Sequence, residues 1–222
     1  MTHLSLQAIV LDCDGVLLES LDVKTKAFEE LFRAYPEHRE RVRQLHLDNL
    51  GMSRYDKFRI IYRDFLHQPL SDGEMETLDE SFSRLIMQRM LACPMASGAD
   101  VFLERFSGRY ALFVASATPE AELRAILEGR GIARLFKGIY GAPTTKADIL
   151  QHIRRTHHWE ARELIFVGDA LSEHQAAAEC GVPFVGRVEN GQESPFPEDG
   201  PLATVTDLGA LAARWADEFG LS

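Results

Sequence analysis

Apolar residues fall into two kinds of run along this chain. Five are short and nearly unbroken: Leu6–Leu11, Tyr110–Ala115, Gly138–Tyr140, Leu164–Val167 and Pro183–Val185. Runs of this length, stopped by Gly, Asp or Ser, read as strands buried on both faces. Between the later ones the apolar positions recur at helical spacing, over Pro119–Arg130, Lys146–His157 and Glu173–Cys180. Strands alternating with helices of this length predict a parallel α/β sheet of the three-layer, Rossmann-like kind. Such sheets bind ligands beyond the carboxyl ends of their strands.

One interval breaks the rhythm. From about Glu19 to Pro94 there is almost no strand signal, and helical spacing runs through LDVKTKAFEELFRAY, SRYDKFRIIYRDFL and DGEMETLDESFSRLIMQRML. The predicted organisation is a core of residues 1–18 and 95–222 with a small helical cap, 19–94, inserted after the first strand. Its joints fall near Leu17–Ser20 and Cys93–Gly98. Leu21, Phe28, Leu31, Phe32, Phe58, Ile61 and Phe65 have the spacing of packing residues.

Composition narrows the partners. The 222 residues carry a formal net charge of −10 and no Lys/Arg block. Nucleic acid is not an expected partner, since backbone binding needs a concentrated basic footprint. A phosphorylated small molecule is still allowed, because a metal and one or two local cations can reverse the average charge inside a pocket. No apolar run reaches the ~20 residues that span a bilayer, so no membrane partner is expected. The N-terminal residues lack a secretory layout, and three widely spaced cysteines suit a reducing compartment. The expected setting is cytoplasmic, with the protein a monomer or weak homo-oligomer.

Chemistry-bearing residues gather at the strand ends. Asp12 and Asp14, two residues apart before Gly15, could supply a carboxylate nucleophile and a proton donor, or could be a plain turn. Ser116-Ala117-Thr118 follow the second strand, where a hydroxyl and successive N–H groups could cradle phosphate or cap the next helix. Lys146 stands at a predicted helix start, where it opposes the helix dipole and needs a compensating anion unless it is simply solvated. Asp169 follows the fourth strand, with Glu173 four residues on. With Asp12 they make a sparse oxygen cluster adequate for Mg²⁺, or else a helix cap and a solvent-facing Glu.

In this order, the segments LDCDGVLLES, FVASATPEAEL, GAPTTK and FVGDALSEHQAAAECGVPFVG resemble the four motifs of the haloacid dehalogenase-like superfamily. The insertion resembles the helical cap of the class containing phosphoglycolate phosphatases and β-phosphoglucomutases. The resemblance implies a Mg²⁺-dependent phosphoric monoester hydrolase acting on a small phosphorylated metabolite. It implies Asp12 as aspartyl nucleophile, Asp14 as general acid and base, and Ser116 and Lys146 as phosphate-binding partners. The implied metal ligands are Asp12, Asp169 and the Asp14 carbonyl, with Glu173 where the family usually has Asp.

Asp14 itself favours phosphate-ester chemistry over dehalogenation, since a halide needs no proton to leave. A mutase of the β-phosphoglucomutase kind is the alternative, although Lys24 stands where those enzymes typically carry histidine. A phosphonatase using Lys24, or a binding module, is a lesser one. Within the cap, Gly51-Met52-Ser53-Arg54 resembles a substrate-contacting segment. Arg54 is then a candidate for a remote anion, with Lys24, Ala117 and Thr118 as further substrate contacts. Lys57, one turn beyond Arg54, could share its role.

Overall fold

The computed structural model describes residues 6–219, with side chains through residue 215. Residues 1–5 and 220–222 of the expected core segments, and with them the first five residues of the N-terminal stretch read for a secretory layout, lie outside the described residues. Six parallel strands form one sheet in the order β3-β2-β1-β4-β5-β6. They are β1 (Ala8–Leu11), β2 (Ala111–Pro119), β3 (Gly138–Ala142), β4 (Leu164–Gly168), β5 (Phe184–Arg187) and β6 (Ala203–Val205).

β1 and β4 are buried at every position, which is why they read as unbroken apolar runs. Alternate residues of β1 point to opposite faces. Ile9 and Leu11 join one apolar layer with Leu112, Val114, Ile165 and Val167, while Ala8 and Val10 join another with Phe113 and Phe166. α7 (Lys146–His157) and α8 (Leu171–Cys180) cover the second layer through Ile149, Ile153 and Ala177. α5 (Ala99–Phe106), α6 (Glu120–Gly129) and α9 (Leu208–Phe219) cover the first.

β2 departs from expectation. It starts one residue later than the apolar run and continues through Ser116-Ala117-Thr118 to Pro119, with its register to β3 shifting after Ala115. A slipped strand end holds these three residues at the sheet edge rather than inside the helix. β6, with three residues, is too short to stand out in the sequence, while α5 and α9 went unread although both have the apolar spacing of a helix.

Between β1 and β2 lie α1 (Leu21–Leu31), α2 (Arg39–Asp48), α3 (Arg54–Ile60) and α4 (Asp72–Ala92), with a π-helical turn at Ile61–Leu66 continuing α3. Ser53 caps α3 by accepting from Asp56 N at 3.3 Å. Ser71 and Glu74 cap α4 reciprocally. These helices share an aromatic centre in which the Phe28 ring lies tilted at 4.6 Å from Phe82 and 5.8 Å from Phe58. Phe32, Val42 and Ile61 are buried around it, while Leu31 and Phe65 are partly buried. Removing one such ring, as in Phe58→Ala, costs about 3–5 kcal/mol. The two connections to the sheet run side by side: Glu19 N donates to Pro94 O at 3.1 Å and Ala96 N to Leu17 O at 2.9 Å.

Candidate active site

The carboxyl ends of β1, β2 and β4 converge beneath the helical insertion. Asp12 directly follows β1, and its N–H donates to Val167 O at 2.9 Å, which ties it to β4. The chain then turns through Gly15 at φ 73°, a left-handed conformation suited to glycine. A Cβ at Gly15 would collide with the Asp169 carboxylate, so the glycine lets the two acidic loops meet. The Arg187 guanidinium, at the end of β5, donates to Gly15 O and to Glu19, bracing this turn from below.

Asp14 is held on three sides. Ser20 Oγ donates to its Oδ1 at 2.6 Å, Thr118 Oγ1 donates to its Oδ2 at 3.2 Å, and Lys24 forms an ion pair with it. Lys24 also donates to Thr118 Oγ1 at 2.7 Å. Burial alone would raise the Asp14 carboxyl, but the Lys24 charge and these hydrogen bonds outweigh it and hold it at about 2. Lys24, expected against substrate, pairs with Asp14 and also lines the cavity at the strand ends.

Thr145 caps α7 by accepting from Asp148 N at 3.1 Å, which puts Lys146 at the first helical position. The anion that this position demands is present twice over. Lys146 Nζ donates to Asp12 Oδ1 at 3.0 Å and pairs with Glu173. Lys146 is therefore not a solvated lysine, nor does Glu173 face solvent: Glu173 is fully buried. Glu173 Oε2 accepts from Asp169 N at 2.8 Å and Ala170 N at 3.1 Å, so this carboxylate also fixes the Asp169 loop.

Asp12, Asp169 and Glu173 each offer a ligand atom, and these atoms lie within 4.8 Å of one another. Burial pushes the Asp12 carboxyl up despite Lys146, with Asp14 adding to the effect. Asp169 is pushed to about 7 by burial and by the negative charge of Asp12. Two carboxylates strained upward by their own surroundings, with hard oxygen donors only, suit a small divalent cation.

On β2, Ser116 and Thr118 are buried, but neither side chain caps α6, whose N-cap is Pro119. Thr118 N donates to Ser116 Oγ at 3.1 Å. That amide is committed inside the strand end, so the phosphate cradle expected from all three residues narrows to Ser116 and Ala117.

Arg54 differs most from expectation. It is 5% exposed, and its guanidinium is taken up by Glu122 of α6, by Asp79 at 3.1 Å and by Ser83 at 2.8 Å. A donor fork already filled by two carboxylates has little left for a substrate anion. Glu122 went unread in the sequence because its partner Arg54 lies 68 residues away, whereas Ser20 is only six residues from Asp14 and could have been noticed. Arg187 could have been noticed as a polar residue ending a strand.

A model of the haloacid dehalogenase-like hydrolase family matches residues 9–187. The chain belongs to this family. A phosphoglycolate phosphatase from Rhodospirillum rubrum is 26% identical to it over 92% of this chain and 89% of its own. In fold, this haloacid dehalogenase-like hydrolase is similar to a crystal structure of a predicted phosphoglycolate phosphatase from Haemophilus somnus 129PT, with a TM-score of 0.77 and 18% identity. That match covers 94% of this chain and 97% of the other. It is similar also to β-phosphoglucomutase from Clostridium difficile, with a TM-score of 0.76, 16% identity and 97% of each chain covered. Among the described residues no helix is long and apolar enough to cross a membrane. The family and the phosphoglycolate phosphatase relative support phosphatase activity.

Proposed function

We propose that this hydrolase cleaves a small phosphate monoester through a phosphoaspartate at Asp12, with the helices of residues 19–94 acting as a cap. One observation carries the reading: Lys146 sits 3.0 Å from Asp12 while the ligand atoms of Asp12, Asp169 and Glu173 cluster within 4.8 Å. A nucleophilic carboxylate, a fixed cation and a cation-hungry acidic cluster in one buried place are the parts that phosphoryl transfer requires.

An anionic substrate beside Asp14 raises its carboxyl from the value of about 2 that Lys24 sets in the free protein, so that Asp14 takes up a proton and gives it to the leaving ester oxygen as Asp12 attacks phosphorus. Asp14, then ionised, takes a proton from water, which attacks the phosphoaspartate and releases phosphate. Lys146 and the Ser116 hydroxyl face the phosphoryl oxygens as their charge rises. Asp12, Asp169 and the Asp14 carbonyl would hold Mg²⁺, which when bound offsets the negative charge gathered at the reacting centre. Glu173 Oε2 is taken by the Asp169 and Ala170 amides, while Oε1 pairs with Lys146 and makes no hydrogen bond, so Glu173 positions Lys146 and the Asp169 loop and keeps one oxygen open to the cation.

The 26%-identical relative suggests phosphoglycolate as a substrate to try first. The test is phosphate release from a panel of phosphorylated metabolites, together with acid-quench trapping of a phosphorylated protein. Release without trapping or ¹⁸O transfer through Asp12 would reject the covalent route. Return of the phosphoryl group to a sugar phosphate would instead favour the mutase alternative.

A further inference from the structure

The helical insertion and the strand ends enclose a cavity of about 30 Å³, room for one or two waters. Four cationic side chains line it: Lys24, Arg54, Lys57 and Lys146. Three are matched by carboxylates: Lys24 by Asp14, Arg54 by Glu122 and Asp79, and Lys146 by Asp12 and Glu173. Lys57 is not. It is 2% exposed, and among the described residues no carboxylate lies within ion-pairing distance of it. Its one hydrogen-bond partner there is His46 Nδ1, at 3.0 Å.

His46 is buried too, and it lines the same cavity. Its ring lies 4.9 Å from the Phe28 ring, and its Nε2 has no hydrogen-bond partner. Burial and the Lys57 charge push the imidazole down to about 3, which keeps it neutral. With Lys57 donating to Nδ1, the ring proton resides on Nε2 as an unmet donor. The pair thus presents an ammonium without an anion and an N–H without an acceptor to one small space. Both deficits disfavour the empty site, and one anionic group would satisfy both. Burial and the neighbouring Lys24 and Lys146 charges lower Lys57 to about 7, a strain that such a group would relieve.

We infer that Lys57 and His46 form a subsite for a second anionic group on the leaving-group side of the substrate. The inference rests on the reading of Asp12 as the phosphoryl-accepting residue. The core then holds the phosphoryl group at Asp12 and Lys146, and the insertion holds the other anion at Lys57 and His46. Asp12, Lys146, Lys57 and His46 line this one cavity, so the second anion lies close to the transferred phosphoryl group. Arg54, the arginine expected to read this group, is committed to Glu122 and Asp79.

The experiment compares three esters: phosphoglycolate, ethane-1,2-diol bisphosphate and ethyl phosphate. The first two carry a second anion of different chemistry and the third carries none. The native protein should prefer at least one anionic ester over ethyl phosphate in kcat/KM. Lys57→Met should collapse that ratio by about 10- to 100-fold, as expected for a lost charge-assisted contact, with the change in KM. Lys57→Arg should recover part of it, and His46→Leu should lower it by a smaller factor. Which anionic ester is favoured identifies carboxylate or phosphate as the preferred anion. A ratio that stays within threefold in Lys57→Met, with turnover intact, would overturn the subsite and leave the phosphatase reading standing. Calorimetric titration of the three esters into Asp12→Asn protein, with and without Lys57→Met, separates the other case. Lys57-dependent preference in binding, without turnover by the native chain, would sink the hydrolase reading and keep the subsite.

Discussion

Arg54 of the insertion and Glu122 of α6 form a buried ion pair that ties the helices over the site to the sheet beneath. Ser83 and Asp79 on α4 complete its partners, so three elements meet at one guanidinium. Burying two charges yields little net stability against an apolar pair, but removing one partner leaves the other uncompensated. Arg54→Met should therefore lower unfolding free energy by about 3–5 kcal/mol, and Arg54→Met with Glu122→Leu should recover most of it. Urea unfolding measures both. A single variant within about 1 kcal/mol of native would mean that the pair is open in solution.

Lys24 holds the proton-transfer candidate ionised, with consequences for the pH profile. Without Lys24, burial of Asp14 is no longer outweighed and its carboxyl titrates well above 2. Hydrolysis of the phosphoaspartate needs Asp14 ionised as the base. The acid limb of kcat should accordingly move to higher pH in Lys24→Met. An unshifted limb would show that Asp14 is not the group that limits turnover in acid.

In metal-free protein Asp169 should cost stability as pH rises from about 4 to about 7. Asp169 titrates near 7 in the fold and near 3.8 when unfolded, so in this window the native state holds a proton that the unfolded chain releases. Asp12, also raised, acts in the same direction. Asp14 has the opposite sign, but its contribution fades only as pH falls from 3.8 toward 2, outside the window, whereas buried neutral His46, held down to about 3 from 6.5, opposes Asp169 inside it. Calorimetric Tm in chelator should therefore increase with pH more, or fall less, in Asp169→Asn than in the native protein across the window, and equal slopes would remove Asp169 from the effect. Saturating Mg²⁺ should raise Tm most at the upper end, where both carboxylates are charged.

How far the sequence reveals this arrangement depends on whether a role is local. Asp12, Asp169 and Lys146 were legible because each stands where a strand stops or a helix starts. The central strands were legible because burial on both faces demands unbroken apolar runs. Arg54 misled because its neighbours Gly51-Met52-Ser53 suggested a substrate contact, while its partners Glu122 and Asp79 are 68 and 25 residues away. The Lys57–His46 contact was hidden for the same reason: it joins α3 to α2, and nothing in either segment marks a pair.

The two acidic residues of the first loop should separate by leaving group. Asp12→Asn removes the nucleophile and should abolish turnover and phosphoprotein alike. Asp14→Asn leaves attack possible when the leaving oxygen needs no proton. An activated aryl phosphate should then lose far less rate than an alkyl phosphate, and phosphoprotein should accumulate because water is no longer activated. Equal losses on both esters would remove Asp14 from the acid role.

Glu173 offers the sharpest test of how the cation and the lysine share the site. Its Oε2 accepts from two backbone amides of the Asp169 loop, and its Oε1 contacts Lys146. If that description governs catalysis, Glu173→Gln keeps the amide contacts but takes away the negative charge that orients Lys146. Loss of such an oriented charge should lower kcat by roughly 10- to 100-fold, about 1.4–2.7 kcal/mol at the transition state. The Mg²⁺ concentration for half-maximal rate should change by less than about threefold, because Asp12 and Asp169 remain. Direct ligation predicts the reverse, a large rise in the Mg²⁺ requirement with kcat restored at saturation. Titrating Mg²⁺ against rate in the native and Glu173→Gln proteins decides between them. Glu173→Asp adds a second reading: its shorter side chain cannot span the amides and Lys146 together, so it should be no better than Gln. Recovery of near-native rate by Asp would mean that a carboxylate anywhere in this position suffices, and the bridging role of Glu173 would fall.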